Sequence, residues 1–177
     1  AISAAKVIGA DEIVAVDISD PKLEFARRFG ATQVVNSLNG DPAEQIHAMM
    51  PGRCGCCSGA DVAIDCVGMP QTTTQAFDSL RDGRLGVERG GKCVVVGLPK
   101  ANWELPGMNM VAKEKTVMGS IAGSCKQEQI DEFVDWYRDG HLDLESMISD
   151  RIPFADIAEG AARLARGEIE GRALAII

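Results

Sequence analysis

An aspartate closes the short apolar run Ile13-Val14-Ala15-Val16-Asp17, and this is the first place in the chain where residue type and position suggest chemistry. A run β-branched at Ile13, Val14 and Val16 suits a strand buried on both faces, as in a parallel sheet covered by helices. The carboxyl tip of such a strand is where doubly wound sheets bind ligands. A carboxylate there can accept hydrogen bonds from ribose hydroxyls, and its charge would repel a 2′-phosphate. Taken alone, Asp17 serves equally well as the start of a turn, since Ser19, Asp20 and Pro21 follow. Two further runs, Cys66-Val67-Gly68 and Val96-Gly97-Leu98, end in a glycine that lets backbone approach a flat ligand. With Asp17 they make three positions converging on one crevice at the carboxyl edge of a sheet.

Other residues fail the tests their chemistry sets. Gly86-Val87-Glu88-Arg89-Gly90-Gly91-Lys92-Cys93 approaches a phosphate-binding P-loop. That loop needs Ser or Thr after the lysine and a helix beyond it, whereas Cys93 and a strand follow here, so a turn returning to the sheet is the reading. Cys54-Gly55-Cys56-Cys57 lacks the second ligand pair that a zinc site requires, and is read as thiols in an exposed loop. The histidines, His47 and His141, are far apart in sequence and are expected on surfaces; no Gly-x-Ser-x-Gly elbow is present. The chain assembles no catalytic site and no metal site.

The elements that position these residues follow a repeated punctuation. Residues 1 to 8 read as the end of a helix, stopped by Gly9 before the strand at Ile13. Asp20 is expected to cap a second helix with Pro21 at its first position; that helix ends at Gly30 before the strand Val34-Val35. Gly-Ala precedes a strand a third time at Gly59-Ala60, ahead of Val62 to Cys66. A helix over 72–81 carrying Ala76, Phe77 and Leu80 on one face, a strand over 92–96 and a strand over 116–121 continue the alternation. Next come an amphipathic helix over 126–138 carrying Ile130, Phe133, Val134 and Tyr137, a small-residue helix over 155–165 and a closing strand over 173–177. Strands and helices joined by short links predict an α/β Rossmann-type, doubly wound parallel sheet.

Composition narrows the partners. The 177 residues are 46% hydrophobic and 25% charged, ordinary for one globular domain or a domain with an appendage. A formal charge of −8 excludes nucleic acid, whose phosphates require clustered Lys and Arg. No apolar run approaches the ~20 residues of a membrane span, so no membrane partner is expected. The 6 cysteines are irregularly spaced in a chain too apolar to need a disulfide framework, which points to a reducing, cytoplasmic home.

The order of these pieces resembles the coenzyme domain of the zinc-type, medium-chain alcohol dehydrogenases. The matching stretches are 5–10, Ile13-Val14-Ala15-Val16-Asp17, 22–26, 29–32, Gly59 to Gly68 and Gly90 to Gly97, with Trp136 to Leu144 and Gly171-Arg172-Ala173-Leu174 at the end. From Gly119 onward the wording is most similar to the class III and bacterial branch. The resemblance implies NAD as cofactor. Asp17 would take the adenosine ribose, Lys22 would assist and Ile18 would line the adenine slot. Val67 and Gly68 would flank adenosine and its ribose. Val96, Gly97 and Leu98 would meet the nicotinamide end, with Ser120 and Ala122 beside its amide, and Arg172 would reach the pyrophosphate.

The family's first strand and its Gly-x-Gly-x-x-Gly turn would precede Ala1, as would the catalytic domain with its zinc ligands and proton relay. The chain is therefore expected to be the coenzyme half of a longer enzyme, inactive and poorly folded by itself, because the first strand is central in the 3-2-1-4-5-6 order. Residues 1–122 are assigned to the NAD-binding domain. Residues 123–177 are read as helices and a strand that return to the missing catalytic domain. Trp103 to Met110 and the edge strand over 117–121 would pair subunits into a homo-oligomer. The implied reaction is hydride transfer between a small alcohol or aldehyde and nicotinamide. The alternatives are a zinc-free quinone or enoyl reductase of the same superfamily, which usually favours NADPH, and a nucleotide-binding module without turnover.

Overall fold

The computed structural model describes residues 1–52, 57–121 and 125–177. Strands and helices alternate through most of the chain, and two compact units emerge, one of residues 1–34 with 126–177 and one of residues 35–125.

In the first unit, α1 (Ile2–Val7) leads to β1 (Val14–Asp17), then α2 (Asp20–Arg28) and β2 (Gln33–Asn36), whose second half opens the other unit. β1 and β2 form a two-stranded sheet. Ala15, Leu23 and Ala31 make a small core, with Ile2, Ala26 and Val34 packed against it. The spacing of Leu23 and Ala26 on α2 puts both on the face toward β1. The expected cap at Asp20 is corrected by one residue: Ser19 is the N-cap, its carbonyl accepting from the Leu23 N–H, and Asp20 opens the first turn. The same unit holds α6 (Gln127–Arg138), β6 (Ile148–Pro153), α7 (Ile157–Ala165) and β7 (Arg172–Ile176). β6 and β7 pair in parallel, and Gly160 of α7 lies against Ile152 so closely that an added Cβ would sit 2.5 Å from the Ile152 Cδ1.

The second unit runs through α3 (Pro42–Met49), β3 (Val62–Asp65), α4 (Pro70–Asp78), β4 (Lys92–Val95), α5 (Gly107–Ala112) and β5 (Thr116–Gly119). β3, β4 and β5 form a parallel sheet in that order, with Ala63 opposite Cys93 and Cys93 opposite Val117. These three side chains share one face, on which Phe77 and Leu80 lie fully buried with Cys93 and Val95. The helix predicted over 72–81 thus presents the expected Phe77 and Leu80 to the sheet, though it begins at Pro70 and Leu80 lies just beyond its last residue.

Burial on both faces does not hold. Val62 and Ile64 of β3 are 54% and 46% exposed, Met118 of β5 is 45% and Val16 of β1 is 44%. Period-2 alternation sends Ile64, Val94 and Met118 to the face opposite Phe77, where no described element covers Ile64 and Met118.

Candidate functional site

The site is best built from Asp65, the last residue of β3. Its carboxylate is only 4% exposed, and a charge so placed is costly unless its lone pairs are filled. Oδ1 accepts the backbone N–H groups of Val67 (2.9 Å) and Gly68 (3.1 Å). Oδ2 accepts the hydroxyls of Thr73 (2.7 Å) and Thr72 (3.2 Å) from α4. The Asp65 carbonyl in turn accepts the N–H groups of Val96 (2.8 Å) and Gly97 (3.0 Å) just past β4. One residue therefore folds the tip of its own strand and fastens it to the tip of the next. The turn after Asp65 needs Gly68, whose φ of +77° L side chains rarely adopt. Both glycines also sit where backbones touch: a Cβ on Gly68 would lie 2.5 Å from the Gly97 carbonyl oxygen, and one on Gly97 would overlap Val67.

The structure thus brings together Val67, Gly68, Val96, Gly97 and Leu98 at the carboxyl edge of β3 and β4. Val67 and Leu98 are exposed there, 57% and 74%, giving the edge an apolar rim. Ser120 follows β5 at the same edge, its N–H donating to the Val95 carbonyl at 2.9 Å. Ala122 lies outside the described residues. Beneath the tips, burial pushes the Cys93 thiol up to about 11, and the Asp65 carboxylate adds to the effect. Cys93 is therefore a packed neutral thiol rather than a nucleophile.

Asp17, Ile18, Lys22 and Arg172 belong to the first unit. Asp17 closes β1 half-buried; its Oδ1 accepts the Ser19 N–H at 3.0 Å, and its Oδ2 takes no partner among the described residues. Ile18 is 64% exposed beside it. Lys22 stands in the first turns of α2, with its ammonium within 3.9 Å of where a Cβ on Gly167 would lie. Arg172 opens β7, paired with Ile148 and exposed.

Sequence reasoning missed Asp65 as the organiser of these tips. The signal was present as an aspartate ending a strand, glycine three residues on and two threonines at the start of the following helix. Other expectations are corrected. His47 is not a surface residue but is half-buried, its ring nitrogens bonded to the Ser58 hydroxyl at 3.0 Å and the Asp78 carbonyl at 2.8 Å, tying α3 to the end of α4. Cys57 is buried rather than in an exposed loop, while Cys54 and Cys56 lie outside the described residues. The P-loop-like segment leads into a strand, as read from its sequence. Among the described residues no group of three or more His, Cys, Asp or Glu could hold a metal ion, so this part of the chain does not fit zinc. A shallow concavity of the second unit, lined by Ser37, Asp41, Thr74 and Asp78 among others, shares no residue with the strand tips. Burial raises the Asp78 carboxyl there, Asp41 adding to the effect while Lys115 and His47 oppose it.

Residues 1–139 match the zinc-binding dehydrogenase family. The chain belongs to that family. Alcohol dehydrogenase 1 of Trifolium repens is 31% identical over 172 residues, a match spanning 95% of this chain and 42% of the relative. Among solved structures, benzyl alcohol dehydrogenase of Acinetobacter calcoaceticus is 30% identical with a TM-score of 0.80, covering 94% of this chain and 43% of that one. A zinc-binding-domain alcohol dehydrogenase of Burkholderia ambifaria is 25% identical with a TM-score of 0.85, covering 99% and 44%. The chain spans less than half the length of these relatives. It corresponds to the cofactor-binding part of zinc-type dehydrogenases, and the parallel α/β architecture expected of it is what the structure has.

Proposed function

We propose that this chain binds NAD for a zinc-type alcohol or aldehyde dehydrogenase, in which hydride passes between the substrate carbon and nicotinamide. The observation that carries the reading is the backbone contact between the Val67–Gly68 and Gly97–Leu98 tips at the carboxyl edge of parallel strands, in a chain of this family. When bound, NAD supplies the hydride acceptor; the residues described above hold and orient it. Asp17 takes the adenosine ribose through its open Oδ2 with Lys22 assisting, Ile18 lies against adenine, and Arg172 reaches the pyrophosphate. Val67 and Gly68 flank the adenosine portion. Val96, Gly97, Leu98, Ser120 and Ala122 serve the nicotinamide end. Residues 1–122 make up the cofactor domain in this reading, and residues 123–177 return to a catalytic domain that carries the zinc ligands.

Further proposals rest on the same family membership. The wording from Gly119 onward supports the class III and bacterial branch. β5 has β4 as its one pairing partner among the described residues, and Met108 and Val111 of α5, which precedes it in the chain, are each 78% exposed, which supports subunit pairing through this part of the chain. The thiols and the lack of a described helix long and apolar enough to cross a membrane agree with a cytoplasmic protein. The 177-residue chain by itself is taken to turn over no alcohol, because among the described residues no cluster could hold a metal that would polarise the substrate oxygen. Equilibrium titration of the full-length protein with NAD and with NADP tests the cofactor assignment: NAD binds more tightly, and tighter binding of NADP would remove the role given to Asp17.

A further inference from the structure

Every donor around Asp65 belongs to one of the two strand tips or to the helix behind them. Its Oδ1 holds the N–H groups of Val67 and Gly68, and its carbonyl holds those of Val96 and Gly97. Its Oδ2 is held by Thr73, which is fully buried on α4, and by Thr72. α4 is itself fixed to the sheet by Phe77, fully buried against Cys93 and Val95. The buried face of α4 thus fixes the carboxylate, the carboxylate fixes the Val67–Gly68 turn, and the Asp65 main-chain carbonyl ties the Val96–Gly97 tip against that turn.

We infer that Asp65 is a positioning residue for the dinucleotide: its carboxylate, anchored by the Thr72 and Thr73 hydroxyls, sets the Val67–Gly68 turn and through it the Gly97–Leu98 backbone that the turn touches, without touching the cofactor. The inference rests on the cofactor reading given above and adds to it the residue that shapes the binding edge.

Geometry, rather than charge, is what the site uses. Asn at position 65 keeps Oδ1 for the two backbone N–H groups, and its amide donates to the threonine hydroxyls, which rotate to accept. Ala removes both anchors. Val at position 73 keeps the volume of the helix side and removes the shorter hydroxyl bond, while Ser retains the hydroxyl.

The experiment is equilibrium titration of the full-length protein with NAD, reading both the dissociation constant and the number of sites per chain. Asp65→Ala is expected to raise the dissociation constant about tenfold or more with the site count unchanged, and Asp65→Asn to restore it to within about threefold. If Asp65 merely supported the fold, the site count would fall with the melting temperature while the constant stayed the same, and that result overturns the inference. Should Asp65→Ala not fold, the Thr73 pair decides: Thr73→Val weakens NAD by about threefold or more and Thr73→Ser does not, whereas equal constants for both overturn it. Failure of the wild-type protein to bind NAD would sink the cofactor reading and this inference together. Wild-type binding with unchanged constants in every variant would sink this inference alone.

Discussion

Replacing Asp17 by Asn is the substitution whose effect on cofactor choice the structure allows to be worked out. The carboxylate is half-buried and Oδ1 is occupied by the Ser19 N–H at 3.0 Å, which makes Oδ2 the oxygen proposed for ribose. Asn keeps the turn, since its carbonyl can still accept from Ser19, so the change isolates charge. A hydrogen bond to a charged acceptor contributes roughly 1 kcal/mol more than one to a neutral acceptor, so NAD should weaken by about fivefold. NADP gains instead. A unit charge 4 Å from another costs about 1 kcal/mol even at the dielectric of water, and a 2′-phosphate carries close to two charges, so relief is at least ~2 kcal/mol. The NAD-to-NADP preference of the full-length protein should therefore fall by ~3 kcal/mol, a factor of roughly 150. Titrating wild type and variant with both cofactors at two ionic strengths reads this directly, and the change should shrink as salt screens the charge. A preference that is unchanged in Asp17→Asn, or that moves only through weaker NAD binding, would refute the electrostatic role of Asp17.

Phe77 is fully buried beneath β4 with the Lys115 ammonium 5.2 Å from its ring centre, so Phe77→Ala should cost about 3–5 kcal/mol in denaturant unfolding; a loss under ~1 kcal/mol would show that α4 does not hold the sheet. Cys66 and Cys125 are exposed whereas Cys93 is buried with its thiol raised to about 11, so alkylation of the native protein near neutral pH should label the first two and spare Cys93 by mass spectrometry. Burial alone would raise the Asp82 carboxyl, but hydrogen bonds and charge from Lys113 and Lys115 prevail and hold it below its ordinary 3.8. The sign follows from linkage: this stabilisation is present above pH 3.8 and is lost as pH falls through the depressed value, so Asp82→Asn should flatten the acid limb of the stability curve there and nowhere else.

How much the residues disclosed depended on whether the deciding partner was near in sequence. Ile13 to Asp17, Val62 to Asp65 and Lys92 to Val95 announce themselves because β-branched runs between glycines have few alternatives. Phe77 and Leu80 were readable as a buried pair because helical spacing sets their face. α3 went unread although Asp41-Pro42 carries the same signal as Ser19-Asp20-Pro21: Asp41 accepts the Ala43 N–H at 2.8 Å. β6 went unread because half of Ile148 to Pro153 is polar, breaking the apolar run, and because the strand is held by β7, some twenty residues on. α5, only six residues long, lay inside a loop marked by prolines. As candidates, Asp17 and the glycine-ended tips follow from type and position, whereas the Asp65 network required knowing that α4 turns Thr72 and Thr73 back onto the strand end. His47 misled for the same reason, since Ser58 and the Asp78 carbonyl reach it only through the fold.

NAD is proposed to rest on Asp17 and on the glycine-ended tips. Backbone amide spectra of the full-length protein, recorded while NAD is added, test it most directly. Saturable shifts are expected at Asp17 and Ile18, and at Val67, Gly68, Gly97 and Leu98. Shifts confined to the concavity of Ser37, Asp41, Thr74 and Asp78, or no shifts at all, would contradict it.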